Sequence, residues 1–342
     1  MQILVTGGAG YIGSHAAQLL LEQGHHVVVV DNLYRGNAGA IDRLNALIDD
    51  QSSLVFINAD CTDRIVMARI MTEHKVSAVM HFAALTYVGE SVEQPLDYHR
   101  VNTGGMVALL DACASAGVEK FIFSSTAATY GEPTLQPIAE STHQRPINPY
   151  GASKLHAERV LSEFGAAQAT ACKPFAAAAL RYFNVAGSDP SGLIGEWHQP
   201  ETHLIPIVIE SARGTRDKVT IFGNDYPTQD GTCIRDYVHV RDLVEAHTAV
   251  LDALKPGDDR RYNIGTGSGL SVEQIIESVR RVSGKDFKAA QGERRPGDPP
   301  ELVADPSKIK AEIGWSARFT DIDQTVRTAW DWFNNNPKGY DA

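Results

Sequence analysis

The chain has 342 residues and a mass of 37.1 kDa, 43% of its residues hydrophobic and 21% charged, the balance of a globular protein with room for about two domains. A formal net charge of −11 sets it against nucleic acid and anionic membranes unless a local basic patch is supplied. Its four cysteines (Cys61, Cys113, Cys172, Cys233) stand far apart without a CxxC pair, and neither they nor the twelve histidines fall at metal-ligand spacing, so a reduced, cytoplasmic protein without a metal is expected.

The N-terminus runs directly into ILVTGG, with no basic leader and no signal-length apolar run. No stretch approaches the roughly 20 apolar residues of a membrane helix. The first predicted strand is Ile3–Val5, followed by TGGAGYIGSH and a helical segment closing on Gly24. HVVVV (26–30), LVFIN (54–58), AVMHF (78–82), KFIFSS (120–125) and AAAALRYFN (176–184) are further strand candidates. Their apolar runs are continuous, as suits strands covered on both faces. GGMVALLDACASAG, closing on Gly117, is one of the helices between them. Such β-α-β order implies an α/β fold: a doubly wound parallel sheet of the Rossmann kind.

After Asn184 the texture shifts to Gly, Pro, Asp and His. This predicts a smaller, discontinuous α/β substrate domain. RRYNIGTG (260–267) reads as a strand returning to the large sheet, and 289–305 as a Pro- and Arg-rich loop. The expected division is residues 1–184, with a returning segment of about 235–266, against 185–234 and 267–342.

Gly7, Gly10 and Gly13 form G-x-x-G-x-x-G after a strand and at the head of a helix. Backbone can approach a pyrophosphate there, and helix N–H groups can receive it. Asp31 ends the next strand, where a carboxylate accepts hydrogen bonds from both ribose hydroxyls and repels a 2′-phosphate. NAD is therefore favoured over NADP, with Arg35 nearby as the one feature pulling the other way. Asp60 follows the third strand and is read either as an adenine contact or as a helix cap.

NPYGASKLHAE (148–158) places Tyr150 and Lys154 one helical turn apart behind a proline. A free phenol titrates near pH 10, and an adjacent ammonium favours its ionised form. FSSTAATYG (123–131) lies at the carboxyl end of a predicted parallel strand, where open α/β sheets bind ligands. Its Ser124, Ser125 and Thr126 bring hydroxyls to that edge, and Thr126 can relay a proton to Tyr150.

TGGAGYIGSH, FSSTAATYG and Tyr150-x-x-x-Lys154 together resemble the cofactor and catalytic motifs of the extended short-chain dehydrogenase/reductase family. HFAALTYVGESVEQPLDYHRVN, LRYFNVAGSDPSGLIGE, ETHLIP, IFGNDYPTQDGTCIRDYVHV and RRPGDPPELVAD resemble its UDP-glucose 4-epimerase (UDP-galactose 4-epimerase) branch, and the likeness runs from Ile3 to the WDWFNNNPKGY tail. The resemblance implies a catalytic set of Thr126, Tyr150 and Lys154. It implies an NAD site of Gly7, Gly10, Tyr11, Ile12, Gly13, Asp31, Asn32, Asp60, Phe82, Ala83, Asn102, Ser124 and Tyr182, with Tyr150 and Lys154 at its nicotinamide end. It places Asn184, Arg235, Arg295 and Asp298 on the UDP part, the two arginines giving an acidic protein its local positive charge. Phe222 stands near the uracil or else in the core.

The implied reaction is reversible epimerisation of UDP-glucose and UDP-galactose at C4 through a 4-keto sugar, with NAD retained, in a homodimer paired through two helices of each subunit. Leu109 and Leu110 offer an apolar helix face for that pairing or for the core. This sequence departs from the branch at three positions. Thr86 stands where some members carry a Lys near the cofactor. His203 in ETHLIP replaces an Asn, which leaves its phosphate or sugar contact open. Leu302 occupies the position associated with admitting or excluding N-acetylated sugars, and its size favours plain hexoses. Ala127 and Ala128 follow Thr126 where nucleotide-sugar dehydratases carry an Asp-Glu pair, so no acid stands there to eliminate water. Epimerases of other UDP-sugars (UDP-GlcNAc, pentoses, uronates) remain the alternative reading.

Overall fold

A computed structural model describes residues 1–48, 50–295 and 298–340. Its first half alternates β1 (Gln2–Thr6), α1 (Tyr11–Glu22), β2 (His26–Asp31), α2 (Ala38–Asn45), β3 (Leu54–Asn58), α3 (Arg64–Glu73) and β4 (Ala78–His81). Next come α4 (Val88–Glu93), α5 (Pro95–Tyr98), α6 (Gly105–Ala116), β5 (Lys120–Thr126), α7 (Pro149–Thr170) and β6 (Ala176–Tyr182). The second half holds β7 (Asn184–Ala186), α8 (Leu204–Ala212), β8 (Val219–Phe222), β9 (Ile234–His239), α9 (Val240–Ala253) and β10 (Asp259–Ile264). It closes with β11 (Gly269–Ser271), α10 (Val272–Ser283), β12 (Ala289–Gly292), β13 (Glu301–Leu302), α11 (Ser307–Ile313) and α12 (Ile322–Asn335).

Seven parallel strands form the large sheet in the order β10-β6-β5-β4-β1-β2-β3. The order reverses at β1, so the carboxyl ends of β1 and β4 flank the crevice where open α/β sheets bind ligands. Apolar clusters cover both faces: Ile3, Val27 and Leu180 belong to one, Leu4, Val28 and Phe121 to the other. This two-sided burial is why the strands read as continuous apolar runs. Leu109 and Leu110 lie in the second cluster and are buried, so the core reading of that helix face holds.

The returning segment expected from about residue 235 divides. α9 packs on α1 and β10 joins the edge of the large sheet. β9 instead centres a smaller sheet with β7, β11 and β13. The stretch 289–305, expected as loop, contributes β12, paired in parallel with β8, and β13, paired with β9. Their partners lie far away in sequence, so local composition does not reveal them. Pro296 and Gly297 of the RRPGD motif fall outside the described residues. Among the described residues, no helix is long and apolar enough to cross a membrane.

Candidate functional site

A cleft of about 590 Å³ opens along the carboxyl edge of the large sheet, bounded on the far side by β7, β9 and the segment before α8. Its volume is in the range of small-molecule and cofactor sites.

The glycine loop forms one wall. Gly7 has φ +73°, and a Cβ there would lie 2.5 Å from the Ala83 backbone nitrogen. A Cβ on Gly13 would lie 2.1 Å from the Gly7 carbonyl oxygen. Both glycines are therefore demanded by packing within the loop. Gly10 differs: its φ is −83°, and a Cβ would approach only the Gly7 oxygen, at 3.3 Å. It heads α1 without a side-chain cap and faces the cleft, so its hydrogen leaves room for a bound group. Ile12 and Tyr11 line the same wall, and the Tyr11 hydroxyl donates to Gly187 O at 2.5 Å, tying loop to second half.

Asp31 accepts from Ala9 N (3.0 Å) and Leu33 N (2.8 Å) and is buried, which raises its carboxyl above the ordinary range. Asp60 receives Asn32 Nδ2 at 3.4 Å and Thr62 N at 2.8 Å. The cap of α3 is Asp63, so the helix-cap alternative for Asp60 falls away. Arg35 lies 3.8 Å over the Tyr87 ring and pairs with Glu90 at 2.7 Å. Its charge thus has a partner already, which removes the one objection to an unphosphorylated ribose.

Phe82, Ala83 and Thr86 line the cleft. Asn102 sits behind them, in a π-helical turn (His99–Gly104) between α5 and α6. It exchanges hydrogen bonds with both backbone groups of Leu85 (2.9 Å each), and its Nδ2 donates to Ser153 Oγ at 3.0 Å. Its role in this structure is to hold the cleft-lining loop rather than to line the cleft.

Helix α7 starts with Asn148 accepting from Gly151 N at 2.8 Å and Pro149 in the first helical position. This fixes where Tyr150 and Lys154 emerge, and both line the cleft with Ser124, Thr126 and Tyr182. Lys154, 2% exposed, donates to Ser124 O at 2.9 Å and lies 4.8 Å over the Phe123 ring. Burial lowers its ammonium to about 7. Burial also raises the Tyr150 phenol above its ordinary value, and a hydrogen bond from Thr126 opposes the rise. The sequence expectation of a phenol lowered by its lysine is therefore not met by the chain alone. Desolvation acts on both partners and leaves Lys154 only partly charged near neutral pH. Thr126 Oγ1 accepts from Ala128 N at 3.1 Å, so its own proton is free to point at Tyr150. The Ser124 and Tyr182 hydroxyls hydrogen-bond each other.

The sequence-assigned substrate residues fall into two groups. Asn184 and His203 line the cleft, joined by Tyr237, which pairs with Asn184 across β7 and β9 and lies in the IFGNDYPTQDGTCIRDYVHV stretch with no role expected of it from sequence. Arg235, Asp298, Leu302, Phe222 and Arg295 are not among the residues that line the cleft. Leu302 stands opposite Arg235 in register, Arg235 pairs with Asp298, and Arg295 lies 4.1 Å over the Phe222 ring. Phe222 is 37% exposed, so it is not a core residue.

The structure also corrects the expectation that no histidines group at ligand spacing. Glu196, His198, Glu201 and His203 converge at the far wall of the cleft. Burial would lower His198, but the two carboxylates overcome it and push the imidazole up to about 9. In sequence the four residues read E-x-H-x-x-E-x-H.

A family model described as the NAD dependent epimerase/dehydratase family matches residues 3–265. A UDP-glucose 4-epimerase of Halalkalibacterium halodurans is 46% identical over 341 residues, covering 99% of this chain and 98% of that one. A probable UDP-arabinose 4-epimerase 3 of Oryza sativa subsp. japonica is 45% identical over 342 residues, covering 99% and 83%. Among solved structures, UDP-glucose-4-epimerase from Stenotrophomonas maltophila with bound NAD and formylated UDP-arabinopyranose aligns with a TM-score of 0.92 at 40% identity, covering 99% of each chain.

Proposed function

The chain belongs to the NAD dependent epimerase/dehydratase family, and from that premise we propose that it interconverts UDP-glucose and UDP-galactose by oxidising and re-reducing the sugar at C4. The observation that carries this reading is the meeting of Tyr150, Thr126 and Lys154 with the glycine loop in one cleft, with Ala127 and Ala128 where a dehydratase would need acids.

The room above Gly10, the Asp31 carboxylate and the wall of Ile12, Phe82 and Ala83 fit a dinucleotide. NAD bound there would supply the hydride acceptor for C4 and the hydride donor for the opposite face of the 4-keto sugar. Tyr150 must be ionised to take the proton of the 4-hydroxyl, directly or through Thr126, a state that the chain alone does not reach and that the positive ring of a bound NAD would favour, and it gives the proton back in the reverse half. Lys154, when protonated, places positive charge beside the phenol and would bond the nicotinamide ribose, with Ser124 and Tyr182 beside it. Asn184, Arg235, Arg295 and Asp298 hold the UDP portion, Arg235 exchanging part of its ion pair with Asp298 for phosphate oxygens. His203 borders the same portion, and Phe222 with Arg295 above it stacks on the uracil.

Residues 1–184 with α9 and β10 form the NAD-binding part, and 185–234 with 267–342 the sugar-nucleotide part. A homodimer through two helices of each subunit is part of this reading, supported by the exposed Val107 on α6. A cytoplasmic setting is supported by four cysteines without disulfides.

The test is incubation with UDP-galactose without added NAD. UDP-glucose should form. No conversion, with or without added NAD, rejects the hexose reading. A second reading, epimerisation of UDP-pentoses, is favoured by the rice relative's name and by the arabinopyranose in the Stenotrophomonas structure. Rates on UDP-arabinose beside UDP-galactose decide between the two.

A further inference from the structure

The four residues Glu196, His198, Glu201 and His203 lie on the segment joining β7 to α8. Their ligand atoms (two imidazole Nδ1 and two carboxylate oxygens) all lie within 4.8 Å of one another. We propose that they form a site for one divalent transition-metal cation of the zinc class, bound four-coordinate.

The spacing carries the proposal. A tetrahedral cation with N and O ligands at about 2.0–2.1 Å has ligand–ligand edges of about 3.3–3.4 Å. His203 Nδ1 to Glu201 Oε1 is 3.4 Å and His198 Nδ1 to Glu196 Oε1 is 3.4 Å. His203 Nδ1 to Glu196 Oε1, at 2.7 Å, must open by about 0.6 Å, and the wider pairs of the set, which extends to 4.8 Å, must close. His203 is half-exposed and can move by that much.

A purely hydrogen-bonded cluster explains the arrangement less well. Glu196 is 3% exposed, yet its Oε1 accepts no hydrogen bond of acceptable geometry. His198 Nδ1 is also buried without a hydrogen bond, its carboxylate neighbours standing beyond normal bonding distance. His198 Nδ1 is thus a buried polar atom without a hydrogen bond, beside a buried carboxylate whose one close neighbour is the His203 imidazole at 2.7 Å. Glu201 is held from outside: Thr202 N and His203 N donate to its Oε1 at 2.7 and 2.8 Å, orienting the carboxylate toward the cluster as an outer shell does. The His198 ring meets Tyr11 edge-on at 6.2 Å, so a bound cation would brace the far wall of the cleft against the cofactor loop.

The test uses the full chain, treated with chelator, desalted and titrated with cobalt(II) chloride. The expected result is saturation at one equivalent, with the intense visible bands of four-coordinate cobalt, discharged by zinc. Glu196→Gln and His203→Gln should each weaken binding at least tenfold, and His198→Gln with His203→Gln should abolish the bands. His156→Gln, outside the cluster, should change nothing. Absence of bands, a pale six-coordinate spectrum only, or bands surviving the double substitution overturns the proposal. Should Glu196→Gln fail to fold, the half-exposed His203→Gln carries the same test. The readout is spectroscopic and independent of turnover.

Discussion

The Lys154 ammonium donates to the Ser124 carbonyl at 2.9 Å, fastening helix α7 to the carboxyl end of β5. Tyr150, one turn earlier on the helix, is thereby held at the strand end that carries Thr126. The pair depends on this contact as much as on its own spacing.

Tyr150→Phe removes the phenolic oxygen and leaves the ring. Turnover should fall at least 10²–10⁴-fold, the range of a lost acid–base group, with UDP binding retained. Thr126→Ala should cost less, because Tyr150 can reach the sugar directly. Steady-state rates and UDP titration check both. Near-normal turnover of the phenylalanine variant would reject the assignment.

Lys154 sits at about 7 against an ordinary 10.5. Its folded value is depressed, so protons favour the unfolded chain and stability should climb as pH rises from about 7 toward 10. Lys154→Met should erase that slope and lower turnover, and the loss of its bond to Ser124 should lower the urea midpoint by an amount that no longer varies with pH between about 7 and 10. A slope that survives the substitution would assign it to another group.

Gly10 and Gly13 separate fold from ligand. Gly13→Ala drives a methyl group into the Gly7 oxygen and should cost stability and NAD together. Gly10→Ala meets little protein, so its melting temperature should stay near that of the parent while NAD retention falls. The measurement is NAD released per chain on denaturation. Full NAD content in Gly10→Ala would place the pyrophosphate elsewhere.

Below the site, Arg181 and Glu158 form a buried bidentate pair at 2.6–3.2 Å, and Arg181 Nη1 donates to the Tyr130 hydroxyl at 2.8 Å. Arg181→Met strands a buried carboxylate and should cost about 3–5 kcal/mol. Adding Glu158→Met should recover part of it. Urea midpoints of the two variants give the comparison, and an unchanged midpoint in the single variant contradicts it.

His15, His81, His239 and His247 are at most 2% exposed, and burial lowers them to about 4, 3, 3 and 4. Below pH 6.5 the unfolded chain takes protons that the folded chain refuses. Each histidine then removes about 1.4 kcal/mol of stability per pH unit, from about 6.5 down toward 4. Denaturation midpoints at pH 7.5, 6.5 and 5.5 should fall steeply over the last interval. A flat profile would mean these rings are hydrated.

The sequence by itself determined the large sheet. Ile3–Val5, His26–Val30 and Leu54–Asn58 announced their strands because both faces are buried, and Gly7 and Gly13 announced the loop because any Cβ there collides with backbone. Tyr150 and Lys154 were legible because one helical turn suffices to align them. Tertiary structure alone decided the rest. β12 and β13 exist only through distant partners, Asn102 turned out to support the cleft loop, and Tyr237 reached the cleft through its pairing with Asn184. The charge state of the Tyr150–Lys154 pair was likewise set by burial. Periodicity and spacing are local quantities, whereas desolvation and strand pairing depend on which remote residues arrive.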